Sequence, residues 1–306
     1  MEKKVLVIYY SQTGQLFDIV KSITKPLAEA NTVKLYFEEL KPKPPFPFPW
    51  TAEQFFQAFP ESVKTIPCDL EPLKISSDQD FDLVIIAYQP WYLSPSIPFH
   101  AFFQSEETKR LLAGKPVITV IGCRNMWAMA QEKVKQYIRE ANGQLVGNIV
   151  LRDKAPNLLS VVSIVRWLLK NKKGRYLKVI PPAGVSQSDI VNAERFGRTI
   201  LGALNTGSFA GLQENLLVQG AVEILPGLVM IEKNGSRIFN IWASFILKKG
   251  GYGDQARKLR LTFFKYYLFA VIYLISPLGS LFFILTKPFR IRAIKKQIAF
   301  YKSINM

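Results

Sequence analysis

"VLVIYYSQTGQLFDIV", Val5 to Val20, decides how the rest of the chain is read. An unbroken apolar run meets a short polar knot, Ser11-Gln12-Thr13-Gly14-Gln15, and helical spacing of apolar residues begins directly after it. Such a run fits a strand buried on both faces, as in parallel sheets. Where a buried strand turns into a helix, several backbone N–H groups lack partners and the positive end of the helix dipole faces the turn. Gly14 lets the backbone approach a ligand closely, and the hydroxyls of Ser11 and Thr13 add donors. The knot therefore predicts a phosphate cradle built from neutral donors. It matches neither the Walker pattern nor G-x-G-x-x-G. Taken alone, it also fits a capped helix start that binds nothing.

Outward from this stretch the alternation repeats. A helix is expected from Gln15 to Glu29 and a second strand from Val33 to Phe37. "KPKPPFPFPW", Lys41 to Trp50, is barred by proline from helix or central strand. Phe81–Tyr88, Lys115–Gly122 and Val146–Leu151 read as further buried strands, with an amphipathic helix ahead of Gly143 and a closing helix from Ser188 to Leu204. The fold class expected is α/β, a doubly wound five-stranded parallel sheet over residues 1–206. Residues 153–187 are an insertion whose core, "NLLSVVSIVRWLLKNKKG", suits either a packed core helix or a surface-seeking lid.

The chain has 306 residues, 49% of them hydrophobic, ample for a core, and a net charge of +17 that asks for an acidic partner. Cys68, Cys123 and the single histidine, His100, offer neither a disulfide framework nor metal-ligand spacing. The first strand begins at once, leaving no room for a secretory signal, so a cytoplasmic setting is expected.

Residues 207–306 differ in kind. From Lys248 to Met306 twelve Lys or Arg face one acid, Asp254, and "YYLFAVIYLISPLGSLFFIL", Tyr266 to Leu285, runs uncharged between the clusters. Basic residues flanking an apolar run point to an anionic lipid membrane and away from nucleic acid. Ser276-Pro277-Leu278-Gly279 is expected to break the run into a re-entrant or interfacial hairpin, peripheral or monotopic on the inner face of the cytoplasmic membrane. One kinked span and a helix pair docked on the protein are the alternatives. A short aromatic helix, Ile238 to Lys249, precedes this segment.

Four segments in order resemble the flavodoxin family across residues 3–206: "SQTGQ", "FDLVIIAYQPWYLSPSIP", "AGKPVITVIGCRNMWAMAQEKVKQYIREANGQLVG" and "DIVNAERFGRTIL". Leu16 stands where that family's phosphate loop ends in threonine. The resemblance implies FMN, with Ser11, Gln12, Thr13, Gly14 and Gln15 on its phosphate. Pro90, Trp91 and Tyr92 would lie on one side of the ring, and Gly122, Cys123, Arg124, Asn125 and Trp127 on the other.

"KVLVIYYSQTGQL" and the basic, hydrophobic tail further resemble the flavodoxin-fold proteins of bacterial dialkylresorcinol, flexirubin and aryl-polyene clusters, called condensing enzymes or aromatases. The cysteines lack a nucleophile's setting, which disfavours condensation. Aromatisation of a 2,5-dialkylcyclohexane-1,3-dione to the resorcinol suits a flavin, with His100, Tyr88 or Tyr92 as base and Arg124 or Lys154 stabilising an enolate. A ketosynthase and an acyl carrier protein are the expected partners, and a quinone or dioxygen the electron acceptor. Similarity to membrane-associated flavodoxin-like protoporphyrinogen oxidases, a quinone reductase, and a non-catalytic membrane scaffold are the competing readings.

Overall fold

Five strands pair in parallel in one sheet: β1 (Lys3–Tyr9), β2 (Val33–Glu39), β3 (Leu83–Tyr88), β4 (Pro116–Cys123) and β5 (Gln144–Arg152). The computed structural model describes residues 2–76 and 78–305. In space the strands run β2-β1-β3-β4-β5. This is the flavodoxin-like order of a doubly wound sheet, as the fold expected from the sequence requires. Val5 to Ile8 and Leu83 to Tyr88 are fully buried, which only a sheet covered on both faces achieves.

The order reverses beside β1, so right-handed crossovers send α1 (Gln15–Ala28) to one face and the later crossover helices to the other. On the first face α1 meets α4 (Glu194–Thr206) where a Cβ on Gly197 would lie 1.9 Å from the Ile23 carbonyl oxygen. Glycine is therefore obligatory at that crossing. On the second face α2 (Ala128–Glu140) packs on the Ile97–Phe103 helix, with the Phe103 and Tyr137 rings stacked at 5.0 Å. The expected closing helix is two pieces, Gln187–Asn192 and then α4. The insertion carries α3 (Asn157–Lys170).

After α4 come α5 (Pro226–Leu247), α6 (Lys258–Ala270), α7 (Ser276–Thr286) and α8 (Ile291–Lys302). The aromatic helix expected at Ile238 starts twelve residues earlier, at Pro226. The expected hairpin at Ser276–Gly279 is corrected. Helix runs without reversal from Gln255 to Lys302, 48 residues, through a π-helical turn at Val271–Ile275. There the Ser276 N–H bonds the Val271 carbonyl, one residue further back than in an α-helix. That widened turn accommodates Pro277, which has no N–H of its own to give, so the proline deforms the helix without ending it.

Candidate functional site

A cavity of ≈ 210 Å³ opens at the carboxyl ends of β1, β3 and β4. Crevices outside these strand ends are where doubly wound sheets bind ligands. Its floor is the knot: Gln12, Thr13, Gln15 and Leu16 line it. Gly14 sits at φ 81°, ψ −27°, a left-handed conformation costly for any residue with a Cβ. Ser11 Oγ accepts the Phe17 N–H at 3.3 Å, pinning the loop to the first turn of α1. Among the described residues the N–H groups from Gln12 to Leu16 take no protein partner. They form a cluster of unpaired donors with the positive end of the helix dipole behind it, an arrangement suited to an anion.

The glutamine side chains do other work. Gln12 Nε2 donates to the Pro47 carbonyl at 3.1 Å. Gln15 is buried and clamps the backbone of one residue of the insertion's return, donating to Val185 O at 2.9 Å and accepting from Val185 N at 2.9 Å. Of Gln15, only the backbone N–H is left to meet a phosphate. Thr13 alone offers a hydroxyl with no protein partner among the described residues.

One wall is the hairpin after β3. Pro90 pairs with Pro95 and Trp91 with Ser94, leaving Tyr92 and Leu93 as a two-residue turn with both φ positive, 50° and 65°. Such turns favour Asn-Gly, and two bulky residues there cost about 1–2 kcal/mol each. Strain of this size marks a segment held for a purpose. Trp91 is held edge-on by Tyr10, Phe46 and Trp50. Gln89, just before it, lines the cavity, and its buried Nε2 has no hydrogen-bond partner.

The opposite wall is Gly122, Cys123 and Arg124. Burial pushes the Cys123 thiol far above its ordinary range, so it stays protonated. One guanidinium nitrogen of Arg124, Nη1, donates to Asn157 O at 3.1 Å, Asn157 Oδ1 at 2.8 Å and Ser160 Oγ at 3.0 Å. Burial lowers its pKa, opposed chiefly by the nearby Asp153 carboxylate. Asn125 and Trp127 do not line the cavity. Asn125 Nδ2 donates to Asn157 Oδ1 at 2.7 Å, and Trp127 is buried in the core at the start of α2.

The roof comes from outside the minimal domain. Ile164, Trp167 and Leu168 of α3, with Gly184, close the cavity from the insertion; Trp50 and Phe55 close it from the proline-rich side. The two parts join where Trp50 N donates to Leu168 O at 2.8 Å. These residues and Gln89 escaped the sequence reading. The available signal was an amide at a strand's carboxyl end and tryptophans in two segments the minimal fold does not use.

Four of the expected catalytic groups are corrected. His100 is buried away from the cavity, held by Ser94 Oγ at 3.1 Å, Ser62 O at 3.0 Å and Tyr137 Oη at 3.2 Å. Burial, with Lys133 nearby, lowers its pKa to about 3, so it remains neutral. Tyr88 is fully buried, donates to Gln131 Oε1 at 2.7 Å and does not reach the cavity. Tyr92 does line the cavity, but its hydroxyl donates to Phe55 O at 2.6 Å and burial pushes its pKa well up. Lys154 lies outside the cavity, exposed and paired with Asp189 at 2.6 Å.

Comparison with known proteins finds no matching family model and no matching curated protein. Among solved structures, a flavoprotein from Lactobacillus acidophilus NCFM in complex with FMN is 15% identical, covering 50% of this chain and 95% of that one, with a TM-score of 0.37. A flavoprotein from Bacteroides eggerthii DSM 20697 is 17% identical over 50% of this chain and 93% of its own, TM-score 0.38. A flavodoxin from the domain Archaea is 12% identical over 66% of this chain and 99% of its own, TM-score 0.37.

Proposed function

We propose that this chain is an FMN-dependent oxidoreductase that aromatises lipophilic 2,5-dialkylcyclohexane-1,3-diones to resorcinols, the reading carried by its resemblance to the dialkylresorcinol-cluster proteins. The observation that supports a flavin is the single cavity joining free N–H groups of the knot to a tryptophan-walled slot with an unpartnered Gln89 amide. The residues fit FMN: the N–H groups from Gln12 to Leu16 and the Thr13 hydroxyl suit a phosphate, Trp91 a flat ring, and Gln89 Nε2 a ring carbonyl. Bound there, the flavin would supply the acceptor for a hydride.

The substrate loses two hydrogens, one as hydride and one as a proton. Among the residues lining the cavity, neither Tyr92 nor Cys123 is poised as a base at neutral pH. A 1,3-dione is acidic enough to arrive as its enolate, so the chain needs to hold that anion and keep water out. Arg124 is the group placed to do the first, since only its Nη1 is spent on α3. Trp50, Phe55, Trp167 and Leu168 do the second. Condensation through a cysteine thioester finds no support, because burial raises Cys68 to about 11 and Cys123 further.

The test is anaerobic. Purified protein in mild detergent is mixed with a 2,5-dialkylcyclohexane-1,3-dione while flavin absorbance is followed. Bleaching with resorcinol formed supports the proposal. A yellow protein that does not bleach overturns the substrate and favours the quinone or porphyrinogen readings. A colourless protein that FMN cannot reconstitute overturns the cofactor and leaves the scaffold.

A further inference from the structure

The apolar helix is fastened to the domain at both ends. At its start Arg257, fully buried, pairs with Glu61 at 2.6 Å, and the Phe264 ring stacks on Phe59 at 3.6 Å. At its finish Ile294 and Tyr301 are buried, and Gln213 Nε2 donates to Lys302 O at 3.1 Å. Between them the helix lies antiparallel along α5: Trp242 meets Tyr267, and Gly227 meets the Phe283 ring. A transbilayer segment must deliver its two ends to opposite sides of roughly 30 Å of hydrocarbon. Here both ends rest on one body.

The outward face is another matter. Leu274, Ile275, Leu278, Leu281, Phe282 and Leu285 are each more than half exposed, and the most apolar window of the helix buries nothing in the protein. So wide an apolar face on a protein surface marks an interaction site. Lys258, Arg260 and Lys265 precede it; Lys287, Arg290, Arg292, Lys295 and Lys296 follow. Cations at both ends and none between suit an apolar element seated among anionic headgroups, and the fastening of both ends to one body lays that element along the surface.

We propose that the α6–α7 helix lies in the plane of one leaflet of an anionic lipid membrane, docking the domain on that surface without crossing it. This is independent of what the cavity binds. It also gives α3 two neighbours. Ile164, Trp167 and Leu168 roof the cavity, while Val161, Val165 and Leu169 form a groove of ≈ 470 Å³ with Phe269 and Tyr273 of the docked helix. The roof of the cavity thus borders the lipid face.

Two measurements test the proposal on the full chain. In the first, protein is mixed with phosphatidylcholine vesicles with or without phosphatidylglycerol, detergent is removed, and flotation is read. Binding is expected to rise more than about tenfold with the anionic lipid and to fall with salt. Leu274→Lys with Leu278→Lys should abolish flotation while leaving the circular dichroism unchanged. Equal flotation of wild type on neutral vesicles, or a stable dimer that does not float, overturns it. In the second, Asn305→Cys and Ser208→Cys are labelled with an impermeant maleimide in spheroplasts and in inverted vesicles, against the background of the native cysteines. Labelling of both from the same side supports the in-plane helix; labelling from opposite sides means a span and overturns it.

Discussion

The guanidinium of Arg257 and the carboxylate of Glu61, 196 residues apart, meet in a buried two-point pair: Nη1 to Oε1 at 2.6 Å and Nη2 to Oε2 at 2.9 Å. Nη2 also donates to Gln57 O at 2.9 Å. The pair ties the basic extension to the segment between β2 and β3, beside the aromatic contacts Phe59–Phe264 and Phe56–Phe264. Removing one partner strands the other charge in an apolar setting. Glu61→Ala is expected to cost about 3–5 kcal/mol, read as a drop in the urea midpoint, and Glu61→Ala with Arg257→Met about half that or less. A double variant costing as much as Glu61→Ala and Arg257→Met summed would mean the pair is not a unit.

Gln89 makes a sharper distinction. Its Nε2 is buried without a partner, which is a liability until a ligand accepts from it. Gln89→Leu is expected to stabilise the flavin-free protein by about 1 kcal/mol and to weaken FMN binding about tenfold. Thermal unfolding and flavin-fluorescence titration check the two signs. A variant that loses stability without FMN would show that the amide has a partner in solution.

Ser11 and Thr13 separate in the same way. Ser11 Oγ holds the Phe17 N–H, so Ser11→Ala should lower the stability of the flavin-free protein by about 0.5–1.5 kcal/mol. Thr13 has no such duty, and Thr13→Ala should leave that stability unchanged while raising the Kd for FMN about tenfold or more. Titration with riboflavin, which lacks the phosphate, should show no difference between Thr13→Ala and wild type.

The sheet was legible because Val5–Tyr10, Phe81–Tyr88 and Lys115–Gly122 are continuous apolar runs followed by punctuation, and burial on both faces leaves such runs no other home. The knot was legible for the same local reason. What misled was chemistry that depends on distant partners. His100 and Tyr88 carry reactive groups near the right strand end, yet Ser62, Tyr137 and Gln131, all far along the chain, take those groups into the core. Gln15 reads as a loop donor until Val185 arrives from 170 residues away. Pro277 reads as a break because nothing in the residues around it announces the π-helical turn, one residue wider, that takes up its missing N–H.

Two buried groups tilt stability in opposite directions across the acid range. Burial raises Glu232, whose Oε1 accepts the Met129 N–H at 2.7 Å, from 4.5 to about 7. Between those values the folded state keeps a proton the unfolded chain has lost, so stability falls as pH rises. His100 is lowered from 6.5 to about 3. Between those values the unfolded chain binds the extra proton, so stability falls as pH drops. From 4.5 to 6.5 the two slopes oppose, and the wild-type midpoint should be nearly flat. Glu232→Gln keeps an acceptor for Met129 but removes one slope. Its stability is expected to fall by on the order of 2–3 kcal/mol from pH 6.5 to pH 4.5, following urea midpoints. A flat profile in the variant would sink the assignment of His100 as a buried neutral group.

The roof and the phosphate loop meet at Gly184, and that contact ties lid position to cofactor retention. Gly184 has φ 80°, and a Cβ there would lie 2.4 Å from Gln15 Oε1 and 2.8 Å from Trp167 Cζ3. Gly184→Ala cannot be accommodated without releasing the Gln15–Val185 clamp or displacing Trp167 from the cavity. The first response strands buried peptide groups at Val185, at about 1–3 kcal/mol each, and the second loosens α3. The variant should therefore be cut faster by trypsin between Lys170 and Lys178, where the chain after α3 is exposed and basic. Its FMN should dissociate faster as the roof opens. Gln15→Leu, which removes the clamp but leaves Gly184 in place, should raise cleavage in the same segment without the backbone strain. If Gly184→Ala releases flavin and Gln15→Leu retains it, Trp167 is the element that holds the ring in; if both release it, the clamp governs the roof.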